Sequence, residues 1–325
     1  MTVSAVLNDR RGAASAETRE RILKKIEEMN YQPSAVARGL ARRHMNTIGV
    51  VMAYGEHTTL ASDRYFGPVL DGVFDTAKAN SQRTLIITED TWEEAYQKLP
   101  SYFDGHCDGL LFILPTIPSE HMMKLNQRNI PFVIVGEARE ETSLSVVDVD
   151  NVAAGFDATA HLISNGHRRI AYFAGDDFYL SSRQRGEGYR RAHESRGVPI
   201  DDALIFPGRY SVDSGRERMA HLLKAPPSDR PTAIFCGDDW IALGALDVAK
   251  QHGLRVPGDL SLIGVNNNRE GQESDPALTT VDNPLRAIGR SAVDVVFSQI
   301  HHGSLPGIKR LLRGELIVRG SVGQV

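Results

Sequence analysis

The sequence predicts an α/β fold with two Rossmann-like lobes behind a short helical head. From residue 47 onward, apolar runs of strand length alternate with helical segments, which is typical of parallel sheets buried on both faces. The alternation restarts after residue 148, which indicates two successive lobes with a cleft between them. At 325 residues, the chain is also too long for one ordinary compact domain.

The head, residues 1–32, contains one well-marked helix. Ser15 is placed to cap this helix, Glu17 lies in its first turn, and Pro33 is expected to stop it. Its apolar side chains have helical spacing: Ile22, Leu23, Ile26 and Met29. We expect residues 33–46 to form a second short helix and a linker into the first strand.

Positive charge is concentrated in the first 46 residues. They hold nine Lys and Arg against five Asp and Glu, whereas the other 279 residues hold 28 basic and 36 acidic side chains. A basic head on an acidic body favours contact with phosphates by the head alone. The alternative is a solvated helix surface with no partner.

The first lobe is predicted to open with four strands and three helices. In chain order they are strand 48–52, helix 69–79, strand 84–88, helix 92–102, strand 109–114, helix 119–128 and strand 131–135. The second lobe continues the pattern, with Gly166 and Gly197 expected just beyond two helix ends. Its segments are helix 153–165, strand 169–174, helix 185–196, extended 204–206, helix 211–223, strand 232–236, helix 240–252 and strand 260–265.

Composition narrows the class of protein. Cys107 and Cys236 are the two cysteines and form no CxxC, which favours a reducing compartment. We see neither a signal peptide nor an apolar run of membrane-spanning length, so a cytoplasmic protein is expected. The sequence has no dinucleotide fingerprint, Walker loop or HExxH, and His301-His302 lies on a polar stretch. We therefore expect no enzyme activity, cofactor or metal.

Several motifs occur in an order that resembles the lactose-repressor family of bacterial transcription regulators. They are Val3 to Asn8, Ser15 to Arg19, Asn30 to Ser34, Ala37, Leu40-Ala41, Val147 to Asn151, Gly166 to Ala171, Gly237 to Asp239 with Ala242 to Ala245, and Pro276 to Val281. The resemblance covers nearly the whole chain. It implies lobes of the periplasmic-binding-protein type I fold, a homodimer on pseudo-palindromic operator DNA, and a sugar-like effector bound between the lobes.

The resemblance implies DNA contacts at two places in the head. Thr2, Ser4, Ala5 and Asn8 fall in or beside the recognition helix, which reads base edges, and Ala5 stands where many members have a basic residue. In the hinge helix, Leu40 is expected to enter the minor groove, while Ala37 keeps the helix slim and Arg42 lies near phosphates. Alternatively, Leu40 packs on the regulatory lobe.

The head departs from the family at its start. Members normally open with about fifteen further residues that form the first helix and the turn, whereas this sequence begins inside the second helix. Without that first helix, the recognition helix loses the surface on which it packs. The chain as given is thus expected to bind its operator poorly, and a gel shift against a chain with an upstream extension tests this.

The resemblance also implies the effector site. Tyr65 and Phe66 are expected to stack on the ligand or enclose it, with a core role as the alternative. Arg185 is expected to reach ligand hydroxyls or a carboxylate as a forked donor; Arg183 could take this role instead, or form a surface ion pair. The remaining implied residues are an aromatic wall, Tyr210, and two acceptors with a capping role as their alternative, Asp238 and Asn266.

Two departures in this site bear on the ligand. Asn266 stands where many sugar-responsive members have aspartate, and Gly136 where some have another acid. With fewer carboxylates to grip vicinal hydroxyls, a sugar acid, a phosphosugar and a nucleobase all stay open. For the lobes themselves, the expected boundaries are 47–147 with 277–302, and 148–276 with 303–325.

Three rival functions can be separated from the regulator. A solute-binding protein of the same two-lobed fold needs a secretory signal and has no use for a basic head. An enzyme would be revealed by turnover of a sugar or a nucleoside. The third rival binds the ligand without contacting DNA, and the same gel shift separates it from a regulator.

Overall fold

The computed structural model describes most of the chain. The described residues are 3, 6, 12, 14–31, 44–53, 65–116, 119–128, 130–137, 143–303 and 307–325. The fold divides into two compact units, residues 1–46 and residues 47–325. In the first unit, the predicted DNA contacts Thr2, Ser4, Ala5, Asn8, Ala37, Leu40 and Arg42 lie outside the described residues.

The helix of the first unit, α1, spans Ala16–Glu28. Ser15 caps it as predicted, because its side chain accepts a hydrogen bond from the backbone N–H of Thr18 at 3.2 Å. The prediction that Pro33 stops the helix is wrong. The chain turns earlier, since Asn30 has a φ of 45° and the N–H of Tyr31 donates to the carbonyl of Ile26.

The larger unit contains two six-stranded sheets, which confirms the predicted fold class. The first sheet has the order β11-β5-β4-β3-β1-β2 and is parallel throughout. Its strands are β1 Thr47–Ala53, β2 Arg83–Glu89, β3 Gly109–Ile113, β4 Phe132–Val135, β5 Val146–Val149 and β11 Lys309–Leu312. Its helices are α2 Phe66–Ala79, α3 Trp92–Gln97, α4 Ser119–Gln127 and α10 Leu285–His302.

The second sheet repeats this design with the order β12-β10-β9-β8-β6-β7, in which β12 alone is antiparallel. Its strands are β6 Ile170–Phe173, β7 Ile205–Phe206, β8 Ala233–Cys236, β9 Ser261–Val265, β10 Thr279–Asp282 and β12 Glu315–Ile317. Its helices are α5 Asn151–Ser164, α6 Leu180–Ser195, α7 Val212–Leu222, α8 Asp239–Gln251 and α9 Arg269–Glu273. Apolar clusters cover both faces of each sheet.

Two helices differ from their predicted bounds more than the others do. The segment 92–102 forms α3 and then a separate 3₁₀ turn over Leu99–Phe103, because Pro100 has no N–H for the helical ladder. Helix α6 begins five residues earlier than predicted, at Leu180, where polar serines hide the apolar spacing. The predicted helix ends at Gly166 and Gly197 are confirmed, with φ of 99° and 62°.

The chain crosses between the lobes three times, between β5 and α5, between β10 and α10, and between β11 and β12. Strand pairing moves two of the predicted boundaries. Residues 279–282 pair within the second sheet and residues 309–312 within the first, so the second and third crossings fall near residues 283 and 313. A short strand next to a hinge has too few residues for its apolar spacing to indicate which sheet it joins.

Three pairs of helices approach closely through facing glycines. A Cβ at any of these positions would lie 2.0–2.2 Å from a carbonyl oxygen of the opposite helix. The facing pairs are Gly72 and Gly289, Gly155 and Gly188, and Gly215 and Gly244. Among the described residues, no helix is long and apolar enough to cross a membrane.

Candidate functional site

A cavity of about 1490 Å³ opens between the two lobes at the carboxyl ends of their strands. This is where open α/β sheets bind ligands. Six of the seven predicted effector residues line it: Tyr65, Phe66, Arg185, Tyr210, Asp238 and Asn266. The sequence analysis missed other lining residues, among them Asn151, Phe178, Trp240 and Asn283. Asn151 and Asn283 directly follow strand regions, which is the signal that could have revealed them.

Arg183 is the predicted residue that the structure places elsewhere. It is exposed and is not among the residues that line the cavity, whereas Arg185 is buried and lines it. Both belong to α6, and residues two apart on a helix point to different sides. Of the two arginines that the sequence left open, Arg185 therefore has the geometry of a cleft residue.

Arg185 is held by neutral groups and keeps donors free for the cleft. Its Nε donates to Oδ1 of Asn151 at 3.1 Å, and its Nη1 donates to the carbonyl of Gly237 at 2.6 Å. Among the described residues, Nη2 has no hydrogen-bond acceptor, although the side chain is 6% exposed. The close crossing of α5 and α6 fixes its backbone, since the carbonyl of Arg185 lies against Gly155. Such a guanidinium is oriented before the ligand arrives.

Tyr210 forms an aromatic wall because its ring takes the space next to Gly175. A Cβ at position 175 would lie 2.0 Å from Cζ of Tyr210. The guanidinium of Arg185 lies 5.8 Å from the ring centroid. The loop before Tyr210 is anchored by the buried Arg218, whose guanidinium donates to backbone carbonyls of Ala174, Phe206 and Arg209.

In the first lobe, the side chain of Tyr65 takes the space next to Gly136, as Tyr210 does next to Gly175 in the second lobe. A Cβ at position 136 would lie 2.1 Å from the hydroxyl oxygen of Tyr65. Position 136 therefore has no room for the acid that the resemblance would suggest there, because the phenol hydroxyl takes that place. The ring of Phe66 meets the Tyr65 ring edge to face at 5.9 Å between centroids.

Asp238 caps helix α8 from the cleft wall. Its Oδ1 accepts a hydrogen bond from the N–H of Ile241 at 2.9 Å, which is the local role that the sequence left as the alternative. Asp238 is 3% exposed, and burial raises the pKa of its carboxyl to about 6 despite the nearby Arg185 and Arg218.

A strained turn of three asparagines, Asn266 to Asn268, completes this wall. Asn266 and Asn267 have φ of 103° and 51°, a backbone region that L residues rarely adopt. The fully buried Asp239 holds the turn by accepting hydrogen bonds from the N–H of Asn268 at 2.7 Å and from the hydroxyl of Thr280 at 2.6 Å.

We expect Asp239 to make stability depend on pH. Burial raises the pKa of its carboxyl to about 7, so the folded state holds a proton that the unfolded chain releases near pH 4. This contribution to stability is complete below pH 4 and is lost as the pH rises through 7. Thermal unfolding between pH 5 and 8 should show Asp239→Asn gaining stability relative to the parent as the pH rises.

Asp259→Asn is the control for this prediction. Asp259 is exposed, and its hydrogen bonds with Arg255 lower the pKa of the carboxyl to about 2. Its titration is therefore complete well below pH 5, and the variant should follow the parent across the range. A constant stability difference for Asp239→Asn would contradict the assignment.

Outside the cleft, the first lobe exposes three large apolar side chains on a helix and on an edge strand. Phe74 of α2 is 40% exposed, and Leu85 and Ile86 of the edge strand β2 are each 41% exposed. Exposed apolar residues on an open sheet edge are typical of a surface that another protein covers. In the part of the chain that the structure describes, no group of three or more His, Cys, Asp or Glu is arranged to hold a metal ion.

Two family profiles match the sequence. Residues 1–34 match the profile described as bacterial regulatory proteins, lacI family. Residues 159–322 match the profile described as periplasmic binding protein-like domain.

Curated relatives align with almost the whole chain. The HTH-type transcriptional repressor CytR of Escherichia coli K12 is 34% identical over 310 residues, which cover 94% of this chain and 88% of the relative. Catabolite control protein A of Priestia megaterium is 32% identical over 294 residues, covering 90% of this chain and 86% of the relative.

Solved structures agree over a similar length. A transcriptional regulator CelR–cellobiose complex superposes with a TM-score of 0.77 at 28% identity, covering 98% of this chain and 94% of that one. The lac repressor dimer bound to operator and the anti-inducer ONPF superposes with a TM-score of 0.84 at 23% identity, covering 99% and 94%, and shows the shared fold.

Proposed function

We propose a mechanism from one premise: the chain belongs to the lacI family of bacterial regulatory proteins and is a DNA-binding transcriptional regulator controlled by a small molecule. It acts as a homodimer on operator DNA, and we propose that it represses. The observation that carries the mechanism is the cleft, in which a buried arginine with a free donor faces aromatic walls from both lobes.

The effector controls DNA affinity through the relative position of the lobes. A ligand that contacts Tyr65 and Phe66 on one wall, and Arg185, Tyr210 and Asn266 on the other, binds one lobe arrangement more tightly than the other. The three crossings allow the lobes to rotate, and the chain runs from the head into the first lobe at β1. Operator affinity then shifts by the difference between the two effector affinities.

The ligand class is a sugar or a sugar-like molecule. The structure of the relative CelR is a complex with cellobiose. In this chain, the rings of Tyr65, Phe66 and Tyr210 offer flat apolar faces, which suit the faces of a sugar ring. A thermal-shift screen of sugars, sugar acids, phosphosugars and nucleobases tests this, because a bound ligand raises the unfolding temperature.

Operator binding is expected to depend on Leu40, the wedge that the family resemblance implies. In a chain with an upstream extension, Leu40→Ala should weaken binding to an operator selected from genomic fragments by about tenfold or more, because the minor groove is no longer held open. Fluorescence anisotropy with labelled duplex measures this. Leu311→Ala, at an exposed leucine of β11, should leave operator affinity unchanged. Equal affinities for all three proteins would remove the wedge assignment.

We propose that the edge of the first lobe at Phe74, Leu85 and Ile86 belongs to the dimer contact. Ile86→Glu should then weaken dimerisation on the order of 100-fold, because association would bury a charge without a partner. Sedimentation equilibrium measures the change. Val318→Glu, at an exposed valine of the second lobe, is the control and should remain dimeric. A dimer that tolerates Ile86→Glu would place the contact elsewhere.

A further inference from the structure

The oxygen and the nitrogen of the Asn266 side-chain amide have different surroundings. It follows β9 at the cleft, and its Oδ1 accepts a hydrogen bond from Nδ2 of Asn283 at 2.7 Å. Within the described residues, this is the one hydrogen bond of the Asn266 side chain, and Nδ2 has no acceptor. The oxygen of Asn266 is thus committed, and its N–H groups are left for the cleft.

Asn283 is built into the crossing between β10 and α10. It is 6% exposed, its carbonyl accepts from the N–H of Leu285, and its Oδ1 is buried near Gly314 of the neighbouring crossing. Packing therefore leaves little freedom to the Asn283 side chain, which donates the hydrogen bond to Asn266. Such a donor holds the direction of the Asn266 amide better than a solvated side chain would.

The neighbours of Asn266 in the cleft wall are a carboxyl group, Asp238, and a guanidinium, Arg185. Strands β8 and β9 pair with Phe235 opposite Ile263, and Asp238 and Asn266 each follow three residues later, so they are adjacent. Asp238 uses an oxygen to cap α8. Arg185 is bonded to the carbonyl of Gly237, and within the described residues its Nη2 has no acceptor. An aspartate at 266 would add a second carboxylate beside Asp238, whereas asparagine leaves N–H groups for the cleft.

We propose that Asn283 orients Asn266 as a hydrogen-bond donor, and that the effector presents a carboxylate to Asn266 and Arg185, as a sugar acid does. A carboxylate only accepts hydrogen bonds, and it matches both a guanidinium and an amide N–H. Asn283 is a positioning residue in this arrangement, since it acts through Asn266. The proposal rests on the effector function of the cleft and deepens it by naming the ligand class.

Calorimetric titration with matched pairs of ligands tests the proposal. The pairs are glucose and glucuronate, galactose and galacturonate, and ribose and ribonate. At least one acid should bind at least tenfold more tightly than its neutral partner, because the hydrogen bonds to it are charge-assisted. Asn266→Asp should reverse this preference. If no acid in the panel binds more tightly than its neutral partner, or if nothing binds, the proposal is overturned.

Two variants of Asn283 test the positioning role. Asn283→Ala frees the Asn266 amide to rotate and should reduce the preference for the acid by about tenfold, with little change for the neutral partner. Asn283→Asp can accept but not donate, so it should turn the Asn266 oxygen toward the cleft and abolish the preference. If the acid binds Asn283→Asp as tightly as the parent, Asn266 is the donor of the pair and the proposal is wrong.

Two controls separate this proposal from the function on which it rests. Asn165→Ala changes an amide that bonds to His161 at the end of α5, and it should leave every ligand affinity unchanged. Operator affinity measured with each ligand reports the regulatory function. A response to neutral sugars alone would contradict the carboxylate and keep the regulator, whereas an operator affinity that no small molecule changes would contradict the regulator itself.

Discussion

Gly72→Ala is expected to lower the free energy of unfolding by about 3 kcal/mol, although it adds one methyl group. The new Cβ would lie 2.0 Å from the carbonyl oxygen of Arg286 and 3.0 Å from the backbone nitrogen of Arg290. Both atoms belong to the backbone of α10, so no side chain can rotate away, and α2 and α10 must move apart. The core between these helices then loses contacts along its length.

Gly67→Ala is the matched control, because it makes the same change in the same helix. A Cβ at position 67 has no neighbour within 4 Å. Alanine there should raise stability by about 0.5 kcal/mol through its better helix propensity. Denaturant unfolding of the three proteins, followed by circular dichroism, gives the comparison. Equal stability of Gly72→Ala and Gly67→Ala would show that the two helices do not pack so closely.

Arg185→Ala is expected to weaken effector binding by about 100-fold, because the cleft loses its charged donor and the ligand group loses its partner. Operator affinity without effector should be unchanged. The effector should then no longer alter operator affinity at concentrations that saturate the parent protein. Calorimetric titration of the effector and anisotropy with labelled operator measure the two quantities.

Arg183→Ala provides the control for this substitution. Arg183 lies two residues away on the same helix, but it is exposed and outside the cavity lining. It should behave as the parent in both assays. Since Arg185 also bonds to Asn151 and Gly237, the unfolding temperature of ligand-free Arg185→Ala should be recorded as well. A full effector response from Arg185→Ala would refute its role.

The alternation of strands and helices could be predicted from the sequence, because the local spacing of apolar residues differs between strands and helices. Membership of a sheet is different. Residues 279–282 and 309–312 were assigned to the wrong lobes, since a strand of four residues has the same local pattern whichever sheet it joins. Pairing partners far away in the sequence decide that question, and single-sequence spacing does not contain them.

In the cleft too, some residues could be predicted from the sequence and others needed the fold. The family resemblance indicated Asp238 and Asn266 for the cavity, and Asp238 also follows a strand end, where parallel strands present their carboxyl ends together. The choice between Arg183 and Arg185 needed the start of α6, which sets the face each residue occupies. The direction of the Asn266 amide needed Asn283, which is seventeen residues away along the chain and close only in the fold.

The glycine crossings also bear on how new specificities arise in such a protein. Positions where helices touch backbone to backbone accept almost no change, so random drift there is removed by loss of folding. The turns after the strands, including Asn266 and Tyr210, face the cleft and not the backbone of a second helix. A lineage can therefore acquire a response to a different molecule through a few substitutions at these turns, while the closely packed helices of the two lobes are inherited unchanged.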